Sequence, residues 1–191
     1  MALHLPRSGR ARALGVLAIA CAALLLGACA GTREPSVPTL LAPPSSEALT
    51  MTVAASGVQI YECRAAGSGP DHAWVLLAPE AELRDSRGNV LGHHGAGPRW
   101  QSSDGSAIVG TVRQRVDAPD PGAIAWLLLA ARADGAAGSF SDVTSVQRVR
   151  TVGGVAPTTG CAAETAGARA RVPYHADYRF FSAIARERGS R

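Results

Sequence analysis

The clearest structural signal in the sequence is residues 106–116, which read SAIVGTVRQRV. One face of an extended chain would carry Ile108, Gly110, Val112, Gln114 and Val116. The opposite face would carry Ala107, Val109, Thr111, Arg113 and Arg115. This two-residue period is typical of a strand with one packed face and one wet face. The segment therefore predicts a half-buried β-strand.

Similar short segments occur on both sides of this strand. They cover residues 58–64, 73–78, 81–84 with 90–91, 123–130, 143–151 and 174–181. Glycine and proline separate them, and residues 85–89 (DSRGN) have the composition of a hairpin turn. Residues 123–130 are almost continuously apolar, which suits a buried strand or one face of a short helix. The flanking glycines and prolines favour a central strand. In segment 58–64 we expect Tyr61 and Cys63 to point inward.

These segments predict an all-β fold, a single antiparallel β-sandwich or barrel of about 7 to 9 short strands. No long amphipathic helix interrupts them, and residues 182–188 could add a short C-terminal helix. We place the domain at residues 57–191. The preceding residues 29–56 are rich in proline and serine and are expected to form an extended tether.

The N-terminus has the layout of an export signal, with Arg7, Arg10 and Arg12 before the uncharged residues 13–26. The sequence LGAC at residues 26–29 resembles the lipobox of bacterial lipoproteins. The resemblance implies that residues 1–28 are a signal peptide, that Cys29 receives a diacylglycerol, and that the new N-terminus is acylated, commonly with palmitate. Secretion without lipid, or an uncleaved anchor, are the alternatives.

This interpretation places the protein in the bacterial cell envelope, attached to the membrane by its N-terminal lipid. In enteric lipoproteins, an aspartate directly after the lipidated cysteine is the mark of inner-membrane retention. This chain has Ala30 at that position and does not resemble the retained class. We therefore expect the outer membrane, facing the periplasm.

Net charge argues against a nucleic-acid partner. The chain has 19 basic and 15 acidic residues, a net charge of +4. Three arginines lie in the predicted signal peptide, and removing them leaves +1. No cluster of basic and aromatic residues remains, so we expect no nucleic acid.

Four cysteines are present. With Cys21 in the signal and Cys29 lipidated, Cys63 and Cys161 form an even pair in an oxidising compartment, which predicts a disulfide. Two free thiols are the alternative. No further cysteine or histidine pair completes a tetrahedral metal site, so no metal and no cofactor are expected.

Several motifs together resemble the family catalogued as DUF3455, whose members are bacterial exported and fungal secreted proteins. They are GVQIYEC (57–63), APEAEL (78–83), AGPRW (96–100), AWLLL (125–129), VQRV (146–149), GGVAP (153–157) and YHADY (174–178). The resemblance covers the whole predicted domain in order, but the family's function is unknown. Gly95 departs from the family, where an aromatic residue follows the histidine.

A catalytic site is one hypothesis for the region around His94. His93, His94, Trp100, Asp104 and Ser106 are close in sequence on an expected loop, and a His94–Asp104 pair could act as a general base in a hydrolase or other enzyme. The segment DGS at 104–106 is also a good tight turn. His93 and His94 should point to opposite faces if extended. We regard an enzyme as the less favoured interpretation.

A binding module is the favoured hypothesis, since small β-barrels can enclose one ligand. The aromatic residues that could line a cavity or pack the core are Tyr61, Trp74, Trp100, Trp126, Tyr174 and Tyr178. Gln147 and Arg148 are the polar strand residues of most interest. An inward-pointing Arg148 without an acidic partner such as Glu62, Asp142 or Asp177 would indicate an anionic ligand. The proposed ligand-binding residues are Tyr61, His94, Trp100 and Arg148. An interaction module for another envelope protein is the third hypothesis.

Overall fold

The computed structural model describes residues 36–67 and 71–185, and in this part of the chain eight antiparallel strands form one closed ring. The strands are β1 (Glu47–Ala65), β2 (His72–Arg84), β3 (Val90–Gly95), β4 (Arg99–Ser102), β5 (Ala107–Val116), β6 (Trp126–Ala133), β7 (Val143–Gly153) and β8 (Arg169–Ala183). Each strand pairs with the next, and β8 pairs with β1 to close the barrel. The predicted all-β antiparallel class is confirmed, in its barrel form.

The alternation of side chains along the strands separates the barrel interior from its outer face. In β1, Val53, Ala55, Tyr61 and Cys63 are buried, and the prediction that Tyr61 and Cys63 point inward is confirmed. The main core joins Val53 and Ala55 to side chains from the other strands, including Leu83, Trp100, Ile108, Leu129, Val146, Tyr174, Tyr178 and Phe180. A barrel of eight strands has an interior just wide enough for side chains or one small ligand.

The turn between β2 and β3 forms as the sequence predicts. The Oδ1 atom of Asp85 accepts hydrogen bonds from the backbone N–H groups of Arg87 and Asn89. Gly88 has φ +85°, a conformation that glycine adopts without steric cost. This local chemistry fixes the hairpin register.

Residues 73–78 and 81–84 were expected to form two strand segments, but they belong to the single strand β2. Pro79 lies inside it, opposite Gln59, and the ladder is irregular immediately afterwards between Ile60 and Tyr61. A proline is tolerated in a strand at such a bulge, because its missing N–H is not needed there. Here the prediction of a break at Pro79 was wrong.

The predicted end of the tether, residue 56, lies inside the folded barrel. Residues 47–56 form the first half of β1. A 3₁₀ turn at Thr39–Leu41 places Leu41, fully buried, against Trp126, Leu128 and Val149. The backbone oxygen of Leu41 accepts a hydrogen bond of 2.8 Å from Gln147 Nε2. The proline-rich stretch around Leu41 is therefore packed against the barrel. The earlier part of the predicted tether, residues 29–35, lies outside the described residues.

At the C-terminus, Ser182 and Ala183 end strand β8, so the expected short helix does not begin there. Residues 186–188 of that helix lie outside the described residues. A second 3₁₀ turn, Ala163–Thr165, lies in the connection between β7 and β8.

The predicted disulfide between Cys63 and Cys161 is present, with a separation of 98 residues along the chain. It attaches the long connection between β7 and β8 to β1. Residues 1–29, with the predicted signal and lipidation site, lie outside the described residues. Within residues 36–67 and 71–185, no helix has the length and apolar character needed to span a membrane.

The hairpin of β3 and β4 is short and leaves a gap in the barrel wall between β2 and β5. Strand β3 pairs with β2 only at residues 81–84, and β4 pairs with β5 only at residues 107–109. Residues 72–80 of β2 and 111–116 of β5 therefore have no strand between them among the described pairings. The gap gives access from the side to the barrel interior.

Candidate ligand-binding site

A cavity of about 320 Å³ lies behind the gap between β2 and β5. Its edges are Leu76–Pro79 of β2 and Val112 of β5. Its inner lining combines Gln59, His94, Trp100, Leu127, Leu129, Arg148 and Tyr178. A second cavity, of about 640 Å³, shares Gln59, Leu76, Arg115 and Arg148 with it and extends to the loop around residues 117–125. The first cavity is mostly apolar with a few polar groups, which is the usual character of a small-molecule site, whereas the second is more polar.

The charged group in the inner lining is the guanidinium of Arg148. Arg148 pairs with Tyr178 of β8 and with Leu127 of β6, which places its side chain in the cavity. Its Nε and Nη2 atoms donate hydrogen bonds of 3.1 Å and 2.8 Å to the Ala125 oxygen. These bonds fix the orientation of the guanidinium without neutralising its charge.

The carboxylates that were considered as partners for Arg148 lie elsewhere. Glu62 pairs with Arg64 and Arg169. Asp177 pairs with Arg150, and Asp142 is exposed. Across the described part of the chain, Arg148 has no ion pair. A half-buried cation without an acid is costly in a protein interior.

Seven buried side-chain polar atoms lack a hydrogen-bond partner of normal length among the described residues. Three of them, Gln59 Nε2, Trp100 Nε1 and Tyr178 OH, belong to residues that line this cavity. The Tyr178 hydroxyl also interacts with Arg148 and with the neighbouring Tyr174 hydroxyl. Buried polar groups are nearly always satisfied in native structures, so each exception requires an explanation. The unpaired Gln59 amide and Trp100 indole N–H in one cavity lining are explained if they serve a bound molecule or ordered water.

Burial keeps the tyrosine hydroxyls in their neutral form. It raises the pKa values of Tyr61, Tyr174 and Tyr178, while the positive charge of Arg148 opposes the shift in all three. At neutral pH the hydroxyls are therefore hydrogen-bond donors as well as acceptors. Arg148 is thus the cation whose charge acts on all three hydroxyls.

His94 is buried at the end of β3, 3% exposed. Its ring stacks on Trp100 at 4.5 Å and meets Tyr178 edge-on at 5.0 Å. The Nδ1 atom lies 2.9 Å from the Arg99 oxygen, and since a carbonyl only accepts, Nδ1 carries the proton. Burial lowers the pKa of His94 from 6.5 to about 4, and Arg148 contributes in the same direction. His94 is therefore neutral at pH 7.

This pKa predicts a pH dependence of stability. The unfolded chain binds the His94 proton near pH 6.5 and the folded chain only near pH 4, so the free energy of unfolding falls as the pH drops between these values. The expected loss is roughly 3 kcal/mol. Chemical denaturation at pH 7, 5.5 and 4 measures it. A His94→Asn variant retains an N–H for the Arg99 oxygen and should show a much shallower slope; an unchanged slope would contradict the assignment.

The sequence placed Arg115 on the face opposite to Val112, and this prediction was wrong. The ladder between β5 and β6 shifts register between Val112 and Gln114. Beyond the bulge, Arg115 pairs with Leu127 and lines the same cavity as Val112. Asp117 is its partner at 4.0 Å, and both side chains are well exposed. An exposed pair of this kind contributes little, so Arg115 remains a cation at the cavity mouth.

The structure does not bring His94 and Asp104 together. His94 lies in β3 opposite Trp100 of β4, so the expected loop is a tight hairpin. Asp104 follows β4 in the next turn, where its carboxylate accepts hydrogen bonds from Ser106 and from the Ser139 backbone. These bonds hold the pKa of Asp104 well below its usual range. Asp104 therefore stabilises the tight turn that the sequence DGS at 104–106 also predicted.

The other predicted residues divide between the two ends of the barrel. The Tyr61 hydroxyl donates a hydrogen bond of 2.6 Å to the Gly154 oxygen, and Tyr61 lines the second cavity. Trp74 also lines that cavity and donates to the Thr159 oxygen. Trp126 instead packs against Leu41 on the opposite face of β6 from Leu127. Of the proposed ligand-binding residues, His94, Trp100 and Arg148 share the inner cavity.

Gln59 was missed as a site residue, although the sequence contained its signal. Segment 58–64 placed it on the same face as Tyr61 and Cys63. It is 2% exposed, with its amide in the cavity. A glutamine on an inward strand face is an unusual core residue.

His93 points away from the cavity and is exposed, opposite in orientation to His94 as the alternation predicted. Among the residues placed by the structure, no group of three or more His, Cys, Asp or Glu side chains could hold a metal ion.

Comparison with known proteins supplies the family. No curated protein and no solved structure matches the chain. The model of the family described as "Protein of unknown function (DUF3455)" matches residues 44–182. The match runs from just before β1 to Ser182 in β8, and thus spans the barrel. The chain therefore belongs to the DUF3455 family, whose shared unit in this protein is an eight-stranded antiparallel barrel.

Proposed function

We propose that the protein is a lipid-anchored protein of the bacterial envelope whose barrel binds a small, largely apolar molecule. The observation that carries the proposal is the cavity behind the gap, where apolar walls surround the amide nitrogen of Gln59 and the indole N–H of Trp100, both buried without a hydrogen-bond partner among the described residues. An interior that holds only water would not be expected to expose the apolar side chains of Leu127, Leu129 and Trp100 to that water. A purely structural core would be expected to pair the Gln59 amide and the Trp100 indole N–H.

The anchoring part of the proposal rests on the sequence. The lipobox-like residues 26–29 follow an export signal, and the disulfide between Cys63 and Cys161 suits an oxidising compartment. We place the protein at the outer membrane, facing the periplasm. A diacylated and N-acylated cysteine would give a durable attachment.

The geometry favours binding over catalysis. His94 donates its one N–H to the Arg99 oxygen, and Asp104 is engaged by serines in another turn. The proposed His94–Asp104 pair is therefore not formed, and burial, which lowers the pKa of His94 to about 4, makes its Nε2 atom a weak base. The hypothesis of an interaction module has no comparable group of contacts in its favour.

A blocked variant tests the proposal. Val112 lies at the cavity edge and is 50% exposed, so Val112→Trp should fill the opening with little effect on stability. Val152 is 56% exposed on β7 and does not line the cavity, which makes Val152→Trp a matched control. The full chain is extracted from its native envelope and examined by native mass spectrometry. We expect a bound small molecule in the wild type and the control, and its loss in Val112→Trp.

Equal amounts of the bound molecule in the two variants would contradict the proposed site. A wild-type protein that carries no small molecule from its native envelope would contradict the proposed function.

A further inference from the structure

We infer that the molecule bound in the barrel carries one negative charge, a carboxylate seated on Arg148, and an apolar part that lies along the gap between β2 and β5. The inference rests on the proposed function and adds the chemical class of the ligand. It starts from the arrangement of charge and hydrogen-bond donors in the cavity.

The first argument is the unmatched charge of Arg148. A guanidinium has five N–H donors, and Arg148 gives two of them to the Ala125 oxygen. The remaining three have no carbonyl or carboxylate partner among the described residues, and their neutral neighbour is the Tyr178 hydroxyl. They are held in a fixed orientation inside the cavity lining. Arginine in this state is suited to the planar oxygens of a carboxylate.

The second argument is the chemistry of the neighbouring groups. Trp100 Nε1 and Gln59 Nε2 can only donate, and the Tyr178 hydroxyl is neutral and can donate. All three are in the same lining as Arg148. Donors around a cation fit an anion and exclude an ammonium group. Because the inner lining supplies one cation, a second negative charge on the ligand would be buried without compensation.

The third argument is the apolar wall. Leu127 and Leu129 of β6 face Pro79 and Leu76 across the cavity. These side chains accommodate a hydrocarbon portion that reaches the gap. Arg115 stands at the opening with its guanidinium largely exposed. It would attract an anion toward the cavity before the anion reaches Arg148.

Three probes with the same chain and different head groups test the inference: octanoate, octanol and octylamine. Binding is measured by isothermal titration with the full chain in detergent. The blocked Val112→Trp protein in the same detergent gives the background from partitioning into micelles. We expect the wild type to bind octanoate at least about tenfold more tightly than octanol, because a charge-assisted hydrogen bond is lost with the alcohol. Octylamine should bind more weakly still.

Variants then assign the preference to one side chain. Arg148→Met should remove the preference for octanoate over octanol. Arg113→Met makes the same charge change at an exposed position of β5 outside the cavity, and should keep the preference. Circular dichroism checks that each variant is folded. If Arg148→Met does not fold, the ranking of the three probes by the wild type alone decides.

The outcomes separate the two proposals. Equal binding of octanoate and octanol to the wild type, or a preference that survives Arg148→Met, overturns the inference of a carboxylate and leaves the cavity as a binding site. Binding of none of the probes above the Val112→Trp background counts against the proposed function itself.

Discussion

Replacing Cys63 and Cys161 together by alanine is expected to lower the free energy of unfolding by about 3 to 5 kcal/mol. The disulfide closes a loop of 98 residues, and the loss of such a large closed loop increases the freedom of the unfolded chain. For a domain of this size we expect the melting temperature to fall by roughly 10 °C. Thermal and urea unfolding of the oxidised wild type and the double variant measure the difference.

The loss of local stability in the double variant should be concentrated where the connection between β7 and β8 meets β1. The Cys63 backbone N–H donates to the Ala168 oxygen, and Gly167 donates back to the Cys63 oxygen. Trp74 and Tyr61 add hydrogen bonds to Thr159 and Gly154. Without the disulfide the connection is held by these bonds and by the bridge between Gly154 and Ala123, so its amide protons should exchange faster than those of β7 and β8.

A reducing agent provides the control for the disulfide. It should bring the wild type to the stability of the double variant and leave the double variant unchanged. Equal stability of the oxidised wild type and the variant would show that the cross-link contributes nothing to the fold.

Trp100→Ala is expected to lower the free energy of unfolding by about 3 to 5 kcal/mol. Trp100 is 1% exposed and contacts His94, Tyr178 and Phe180 through its ring. Its ring lies directly over Gly110, where an added Cβ would come within 2.8 Å of Trp100 Cζ3. Because packed cores relax only in part around a truncated side chain, most of the cavity left by alanine should persist.

Trp100→Phe separates packing from recognition. It keeps an aromatic ring and removes the buried indole N–H, which has no partner. We expect it to cost less than half as much stability as alanine and to weaken octanoate binding, since that N–H is proposed to contact the ligand. If Trp100→Phe binds octanoate as well as the wild type does, the indole N–H is not part of the site. Denaturant unfolding and titration with octanoate provide the two measurements.

The strands were predictable because their signals are local. The alternation in residues 106–116 and the hairpin chemistry of Asp85 act between neighbours in sequence. The disulfide was predictable because two cysteines remained for pairing in a domain that the sequence predicts to be exported. Closure of the ring was not predictable, since it depends on β8 pairing with β1, two strands far apart in the chain.

The errors have specific physical causes. The bulge after Val112 reverses the orientation of Arg115, and the residue types alone do not reveal a bulge. Leu41 packs on the barrel because Trp126, Leu128 and Val149 leave an apolar face that only the assembled sheet displays. Pro79 is accepted within β2 because an irregularity in the ladder to β1 lies next to it.

For the site, the sequence identified residue types rather than a cavity. Arg148, His94 and Trp100 were proposed from their chemistry, and the structure places them in one cavity lining. The cavity itself depends on the shortness of β3 and β4, which leaves β2 and β5 unpaired along part of their length. The pairing of His94 with Asp104 was suggested by proximity in sequence, but the two residues lie in different hairpins.

The most direct test of the account is a crystal structure of the protein with octanoate. We predict the carboxylate oxygens within hydrogen-bonding distance of Arg148, near the Tyr178 hydroxyl and Trp100 Nε1, with the hydrocarbon chain between Leu127 and Pro79. Octanoate bound only on the outer surface, or a barrel interior filled with water at saturating octanoate, would contradict the claim that this barrel binds a small carboxylate.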